Sequence, residues 1–221
     1  MTPDIVYEDG EALVIDKPAG LSVDRPRRGG PSLEDHLDAL KLGFARAPLP
    51  VHRLDTDTSG CLLLARNPKA HKRFGETFAQ RGAVKTYVGI LAGEVEGDSG
   101  TIVLNLAKIS SEEKGWRMIA AKKGKEAVTH WQVAARLQGG RTAILFRPET
   151  GRTHQIRIHA LAGLGAPLLG DPVYGDGRGA GRTMLHALAL EVPRARKTAI
   201  VARAPLPADF PDLASDLAWT P

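Results

Sequence analysis

VHRLDTDTSGCLLLA, residues 51–65, crowds a histidine, an arginine, two aspartates and several hydroxyls between a proline-bounded loop and an unbroken apolar run. The run itself, CLLLA at 61–65, has the length and continuity of a strand buried on both faces. Such a strand needs neighbours on either side, so the polar residues before it stand at its mouth. Asp55 and Asp57 fall on one face if the segment is extended, whereas His52 and Asp55 become neighbours if it winds into a helical turn. Three readings of the carboxylates are open at this point: an Asx or ST turn, a carboxylate pair for acid–base work, and a nucleophilic aspartate with a supporting arginine. A turn needs one Asp or Ser, and the addition of His52 and Arg53 directly before Asp55 asks for a further reason.

Outward from this strand the chain reads as sheet with few helices. Residues 4–20, DIVYEDGEALVIDKPAG, predict a hairpin around Asp9-Gly10 and a turn holding Pro18. Residues 32–42 predict an amphipathic helix capped by Ser32, with Leu33, Leu37 and Leu40 at helical spacing. Asn67-Pro68 starts a second helix through Phe74 and Phe78 to Arg81. KTYVGILAG at 85–93 is a strand, and further strands are expected at 101–106, 129–137, 142–147, 185–192 and 198–203. A helix over 153–164 would be capped by Thr153, face Ile156, Ala160 and Leu161 inward, and end at Gly163 or Gly165. With no repeat and no long linker, the expected class is α+β: one domain over residues 1–221, in one or two lobes, with a mixed, largely antiparallel sheet flanked by helices.

Composition narrows the function. The single cysteine, Cys61, lies inside the apolar run, which excludes intramolecular disulfides and thiol-rich metal sites and predicts a buried, inert thiol. The first residues, MTPDIVYEDG, have neither a basic region nor an apolar core of a leader, and no apolar stretch is long enough to span a bilayer; a cytoplasmic protein with no membrane partner is expected. The net charge of +5 suits a polyanionic partner, and RPRR at 25–28, KKGK at 122–125 and RARK at 194–197 all fall beside Gly or Pro, where loops are expected. Each cluster alone is ordinary solvated surface; together they gain meaning if the fold gathers them.

A second polar cluster, GRTHQIRIH at 151–159, sits at the start of a predicted helix, where free N–H groups favour an anion. His154 and Arg157 share a helical face. A metal held by His154 and His159 is set aside, because five residues separate them and no acidic or cysteine ligand accompanies them. An arginine here could hold Asp55 ionised in a bidentate pair, or could form a purely structural salt bridge.

At this point the residues carry a resemblance. HRLDTDTSG, residues 52–60, resembles the HRLD-x-x-TSG signature of the RluA-like family of RNA pseudouridine synthases and matches it at every fixed position. KPAGLSV (17–23), KTYVGI (85–90), GRTHQIRIH, LLGDPVYG (168–175) and MLHALAL (184–190) resemble successive blocks of the same family in the same order. One departure follows KPAGLSV, where relatives often continue with His-Pro and this chain has Asp24-Arg25-Pro26. The resemblance implies a pseudouridine-synthase catalytic domain with a central active-site cleft. Asp55 stands too near the start for the small RNA-binding domain that many relatives carry upstream, so no separate RNA-binding domain is expected.

By the same resemblance Asp55 is the catalytic carboxylate that starts breakage of the uracil N-glycosidic bond, by attack on the ribose or by proton removal, before the base rejoins through C5. Tyr87 is implied to stack on the target base and assist the late proton step, and Arg157 to pair with Asp55 and keep it anionic. RNA contacts are implied for Arg53, His52, Lys85, Arg152, His154 and Gln155, with Arg53 filling the space of an extruded base. The partner is a structured stem-loop in ribosomal or transfer RNA, the chain is expected to be a monomer, and neither cofactor nor metal is expected, in keeping with the lack of a P-loop or dinucleotide fingerprint. Two other readings are a catalytically silent RNA-binding or RNA-chaperone protein, and a hydrolase using Asp55 and Asp57 as a two-carboxylate pair.

Overall fold

Leu62, Leu63 and Leu64 are fully buried, as a continuous apolar run in an inner strand requires. The computed structural model describes residues 2–26, 29–111, 115–214 and 217–220, so Arg27 and Arg28 of the first basic cluster lie outside the described residues. In chain order the strands are β1 (Asp4–Glu8), β2 (Ala12–Lys17), β3 (Leu49–Pro50), β4 (Ser59–Ala65), β5 (Val84–Leu91), β6 (Ser99–Ser111), β7 (Gly115–Ala120), β8 (Lys125–Leu137), β9 (Arg141–Pro148), β10 (Leu185–Val192) and β11 (Ile200–Arg203). The α-helices are α1 (Pro68–Ala79) and α2 (Gln155–Ile158). The chain divides into two compact units, Met1–Lys85 with His186–Pro207, and Thr86–Leu185 with Ala208–Pro221. No helix among the described residues is long and apolar enough to cross a membrane.

In the first unit the strands run in the order β1-β2-β4-β10, with β11 beside β10 and β3 beside β4. Strands β4 and β10 pair in parallel, His186 opposite Ser59 and Ala187 opposite Gly60. Gly60 has φ +106°, and a Cβ there would lie 2.3 Å from the Ala187 carbonyl oxygen, so the start of β4 demands glycine. The core beneath gathers Val14, Leu63, Phe74, Leu190 and Ile200. Helix α1 forms where expected: the Asn67 side chain accepts from the Ala70 N–H at 2.8 Å and Pro68 opens the first turn. Cys61 is buried, and burial pushes its thiol up to about 12, the inert state expected.

The helix expected over 32–42 is replaced by two short 3-10 turns, Leu33–His36 and Ala39–Lys41. Asp35 closes a capping box on the first of them, its carboxylate accepting from Ser32 N at 3.0 Å and Ser32 Oγ at 3.3 Å while pairing outward with Arg25. Leu42, at φ 47°, then ends the second turn. Leu33 and Leu40 are buried all the same, so the apolar spacing marked an inward face without the hydrogen-bond ladder of a helix.

The second unit is an antiparallel sheet in the order β5-β9-β8-β6-β7. Strand β6 runs five residues past the expected 101–106 to pair with β7, which the sequence reading did not foresee because charged and small residues there hide the alternation. The helix expected over 153–164 is shorter and different in kind. It begins at Gln155, after His154 in a left-handed turn at φ 54°, and passes at once into a π-helical turn, His159–Gly163. Thr153 does not cap it, because the Gln155 side chain instead stitches the preceding loop, its Oε1 accepting from Thr150 Oγ1 at 2.7 Å and from Arg152 N at 2.9 Å. Leu161, expected inside, is exposed, while Ile156 and Ala160 are buried as expected. Both units combine sheet and helix as the α+β class implies, with antiparallel pairing dominant and the parallel β4–β10 ladder in the first unit.

Candidate active site

In the first unit the polar stretch 51–60 is held as a defined loop. Val51 N donates to Leu63 O at 3.0 Å and Leu63 N donates to His52 Nε2 at 3.0 Å, so the imidazole takes the place of a backbone acceptor just past β3. His52 also stacks on Phe78 of α1 with ring centroids 4.6 Å apart. Burial, helped by the Lys85 charge, pulls its pKa down to about 3, so the ring is neutral and Nε2 can accept. Asp55 opens a turn closed by Thr58 N donating to Asp55 O at 3.0 Å. The next carbonyl, Thr56 O, accepts from Gly20 N at 2.9 Å and from Lys17 Nζ at 3.0 Å. Lys17, fully buried, also donates to Pro18 O at 2.8 Å and Leu21 O at 2.7 Å. One ammonium therefore ties the KPAGL turn to the HRLDT turn, and its burial is offset by carbonyl dipoles. Ser59 Oγ and His186 Nδ1 share a buried hydrogen bond of 2.9 Å, which brings MLHALAL to the same loop.

The carboxyl-bearing residues Asp55 and Asp57 on this loop are half-buried, between the buried Leu54 and Thr58. Arg53 is exposed and pairs with Asp24 at 2.9 Å. Asp24 is the residue at which the chain departs from the family pattern, so the substitution supplies a partner for the signature arginine. A pair this open contributes little to stability and exchanges readily for phosphate. Lys85, in β5, is half-buried, and burial lowers its pKa to about 8.

In the second unit Tyr87 stands on β5 opposite Phe146 of β9 and is 9% exposed. Arg157, on α2, makes a bidentate pair with Asp171, Nε to Oδ2 and Nη2 to Oδ1 both 2.7 Å, with both residues buried. Asp55 was the partner expected for this arginine; Asp171 holds these two donors. Burial raises the Asp171 pKa, but the Arg157 hydrogen bonds and charge, with the Tyr174 and Val173 N–H groups, bring it below the usual carboxylate range. The Arg157 guanidinium lies 5.0 Å from the Tyr174 ring centre. Gln155 is buried and bonded throughout, its Nε2 donating to Val128 O at 3.0 Å and Thr129 Oγ1 at 2.9 Å. Arg152 Nε donates to Glu126 O at 3.0 Å, and His154 Nδ1 shares a hydrogen bond of 2.9 Å with Tyr174 Oη. Among the described residues no group of His, Cys, Asp and Glu side chains gathers in a metal-binding cluster.

The loop residues of the first unit and the buried arginine of the second are thus each over-determined by hydrogen bonds, as groups that must keep their place during chemistry are. Sequence reasoning missed Lys17, Asp171, Tyr174 and His186 as site-builders. The signal was present, since all lie in the quoted blocks: a lysine before proline, or an aspartate among glycine and proline, has no packing role of its own.

The chain belongs to the RNA pseudouridylate synthase family, whose sequence model matches residues 11–162. Members of this family are isomerases that convert uridine in RNA to pseudouridine. It is 54% identical to an uncharacterized RNA pseudouridine synthase of Zymomonas mobilis, over 95% of this chain and 96% of that one. It is 36% identical to the ribosomal large subunit pseudouridine synthase D of Xanthomonas campestris, over 96% of this chain and 69% of that one. Among solved structures, human RNA pseudouridylate synthase domain containing 1 superposes with a TM-score of 0.79 at 30% identity, covering 93% of this chain and 84% of the human one.

Proposed function

We propose that the protein isomerises specific uridines of ribosomal or transfer RNA with Asp55 as its catalytic carboxylate. The observation that carries the reading is the construction of the Asp55 turn. Its backbone is closed by Thr58 N and anchored at Thr56 O by the buried Lys17 ammonium, while Asp55 itself is only half-buried. A turn serving only to connect β3 to β4 needs no buried cation beneath it.

In this reading Asp55 breaks the N-glycosidic bond by attack on the ribose or by removing a proton; the freed uracil turns, bonds to the ribose through C5, and gives up the C5 proton while N1 gains one. The balance is redox-neutral and needs no cofactor. Tyr87 offers its ring to the base and its hydroxyl to the late proton step. Arg157, its plane fixed by Asp171, supplies an oriented positive charge for the anionic chemistry. Arg53 exchanges Asp24 for RNA and fills the space left by the extruded nucleotide. Lys85, Arg152 and His154 meet the RNA backbone, and His52 and Gln155 hold the two loops that present them. Several relatives are named for the large ribosomal subunit, which makes ribosomal RNA the first substrate to try. The protein works as a cytoplasmic monomer.

Tritium release from RNA labelled at uracil C5 tests the assignment. Wild type should release it, Asp55→Asn should fall to background with unchanged circular dichroism, and Asp57→Asn should keep most of the rate. Free uracil among the products, or full release by Asp55→Asn, would overturn it.

A further inference from the structure

Trp116, on β7, leaves 48% of its surface exposed, and its ring has His154 and Lys108 as neighbours. It stacks on His154 with centroids 5.1 Å apart; His154 meets Tyr174 edge-on at 5.6 Å and shares a hydrogen bond with its hydroxyl. The same hydroxyl accepts the Met118 N–H at 3.0 Å, which ties the column back to the strand that carries Trp116. At the inner end the Tyr174 ring covers the Arg157 guanidinium. At the outer end the Lys108 ammonium lies 4.9 Å from the Trp116 ring centre.

We propose that Trp116 is a stacking platform for an unpaired base of the RNA substrate, other than the base that is modified. An indole fixed in one orientation and left open to water suits a flat partner, because stacking then costs little side-chain order. The surroundings choose nucleic acid over protein. Lys108 is exposed and its ammonium lies against the ring, so the aromatic face already attracts a cation of the kind that pairs with phosphate. A base takes the position of the Lys108 ammonium against the ring while the flexible lysine follows the phosphate. Stacking reads no particular base, so Trp116 fixes the path of the strand and leaves the choice of uridine to other contacts. Its support column ends on Arg157, so the platform and that guanidinium share one rigid frame within the second unit. The inference rests on the RNA substrate proposed above.

The experiment pairs tryptophan fluorescence with steady-state tritium release. A short single-stranded oligouridylate should quench wild type, the quench should be absent in Trp116→Phe, and inorganic polyphosphate of equal charge should not reproduce it. Trp116→Ala should raise KM for RNA about tenfold with kcat within about twofold, and Trp116→Phe, which keeps a π-face, should keep KM. Equal quenching in wild type and Trp116→Phe, a polyphosphate quench as large as that of the oligonucleotide, an unchanged KM in Trp116→Ala, or a loss of kcat alone would each overturn the proposal. Should Trp116→Ala fail to fold, the quench and the Trp116→Phe variant still decide it. A wild-type protein that shows the quench but releases no tritium would sink the catalytic reading and leave this one standing; release without the quench would sink this one alone.

Discussion

His52 shows how a residue of the signature works before any substrate arrives. Its Nε2 must stay unprotonated to accept the Leu63 N–H, and burial depresses its pKa to about 3. His159, fully buried in the π-helical turn, is likewise depressed to about 4. A histidine whose folded pKa lies below its unfolded value of about 6.5 stabilises the fold fully above that value and loses its contribution as pH falls toward the folded pKa. Unfolding by urea should therefore cost on the order of 1–2 kcal/mol less per histidine at pH 5 than at pH 7. His52→Gln, which keeps an acceptor but does not titrate, should remove one share of that loss; an unchanged pH dependence in the variant would contradict the assignment. Asp171 has the opposite chemistry and the same sign, since a depressed carboxylate stabilises above the usual carboxylate range and is lost only in stronger acid. Asp171→Asn leaves Arg157 buried beside a neutral amide and should cost about 3–5 kcal/mol in denaturant titration. Residue types at these places were legible in HRLD and LLGDPVYG. Their partners were not, because Leu63 lies eleven residues beyond His52 and Asp171 fourteen beyond Arg157, and pairing at that distance is set by strand register and loop closure.

Elements were readable where local chemistry and tertiary packing agree. Helix α1 has a capping asparagine, a proline in its first turn and an inward face of Ala70 and Phe74, and the sequence placed its start correctly. Asn67→Ala should lower stability by about 1 kcal/mol in chemical denaturation, and Asn67→Asp, which restores an acceptor for the Ala70 N–H, should recover most of it. Residues 32–42 had the apolar spacing and a capping box at Ser32 and Asp35, yet they form a pair of 3-10 turns that the left-handed Leu42 closes. Strand β7 had almost no periodic signal; its place comes from pairing with β6, Ser110 opposite Trp116 and Lys108 opposite Met118. The π-helical turn was equally hidden. Its Gly163 leaves only 2.7 Å between a built Cβ and Ile102, a close approach of α2's continuation to β6 that no local pattern reports.

For the molecule as a whole, the ordered motif blocks identified the family while the chain's division did not show in composition, because each unit is assembled from two separate stretches of the chain. Charge shows the same contrast between what a sequence counts and what a fold does with it. The net +5 invites the inference that every basic cluster meets RNA, yet the clusters differ in what already engages them. In RARK, Arg194 is buried within the first unit: it pairs with Asp9 at 2.6 Å, donates to Thr198 O at 2.7 Å, and leaves 6% of its side chain exposed. Lys197 pairs with Glu11 at 3.2 Å. In KKGK, Lys122 and Lys123 stand exposed on the turn between β7 and β8, and Lys125 is exposed at the start of β8. Counterion release scales with the phosphates a protein neutralises, so of these two clusters KKGK should contribute more to the salt dependence of RNA binding. Replacing Lys122, Lys123 and Lys125 by Gln should weaken binding to all RNAs alike and reduce the log–log salt slope by about two, with little change in stability. Arg194→Gln should instead leave the slope unchanged and cost about 3 kcal/mol of stability, since it strips the cation from a partly buried Asp9 whose pKa is held at about 2. Filter binding across a salt series and urea unfolding of both variants check this directly: equal slopes in wild type and the triple variant, or a lowered slope in Arg194→Gln, would show that exposure in the folded chain does not sort its basic residues into RNA contacts and structural ones.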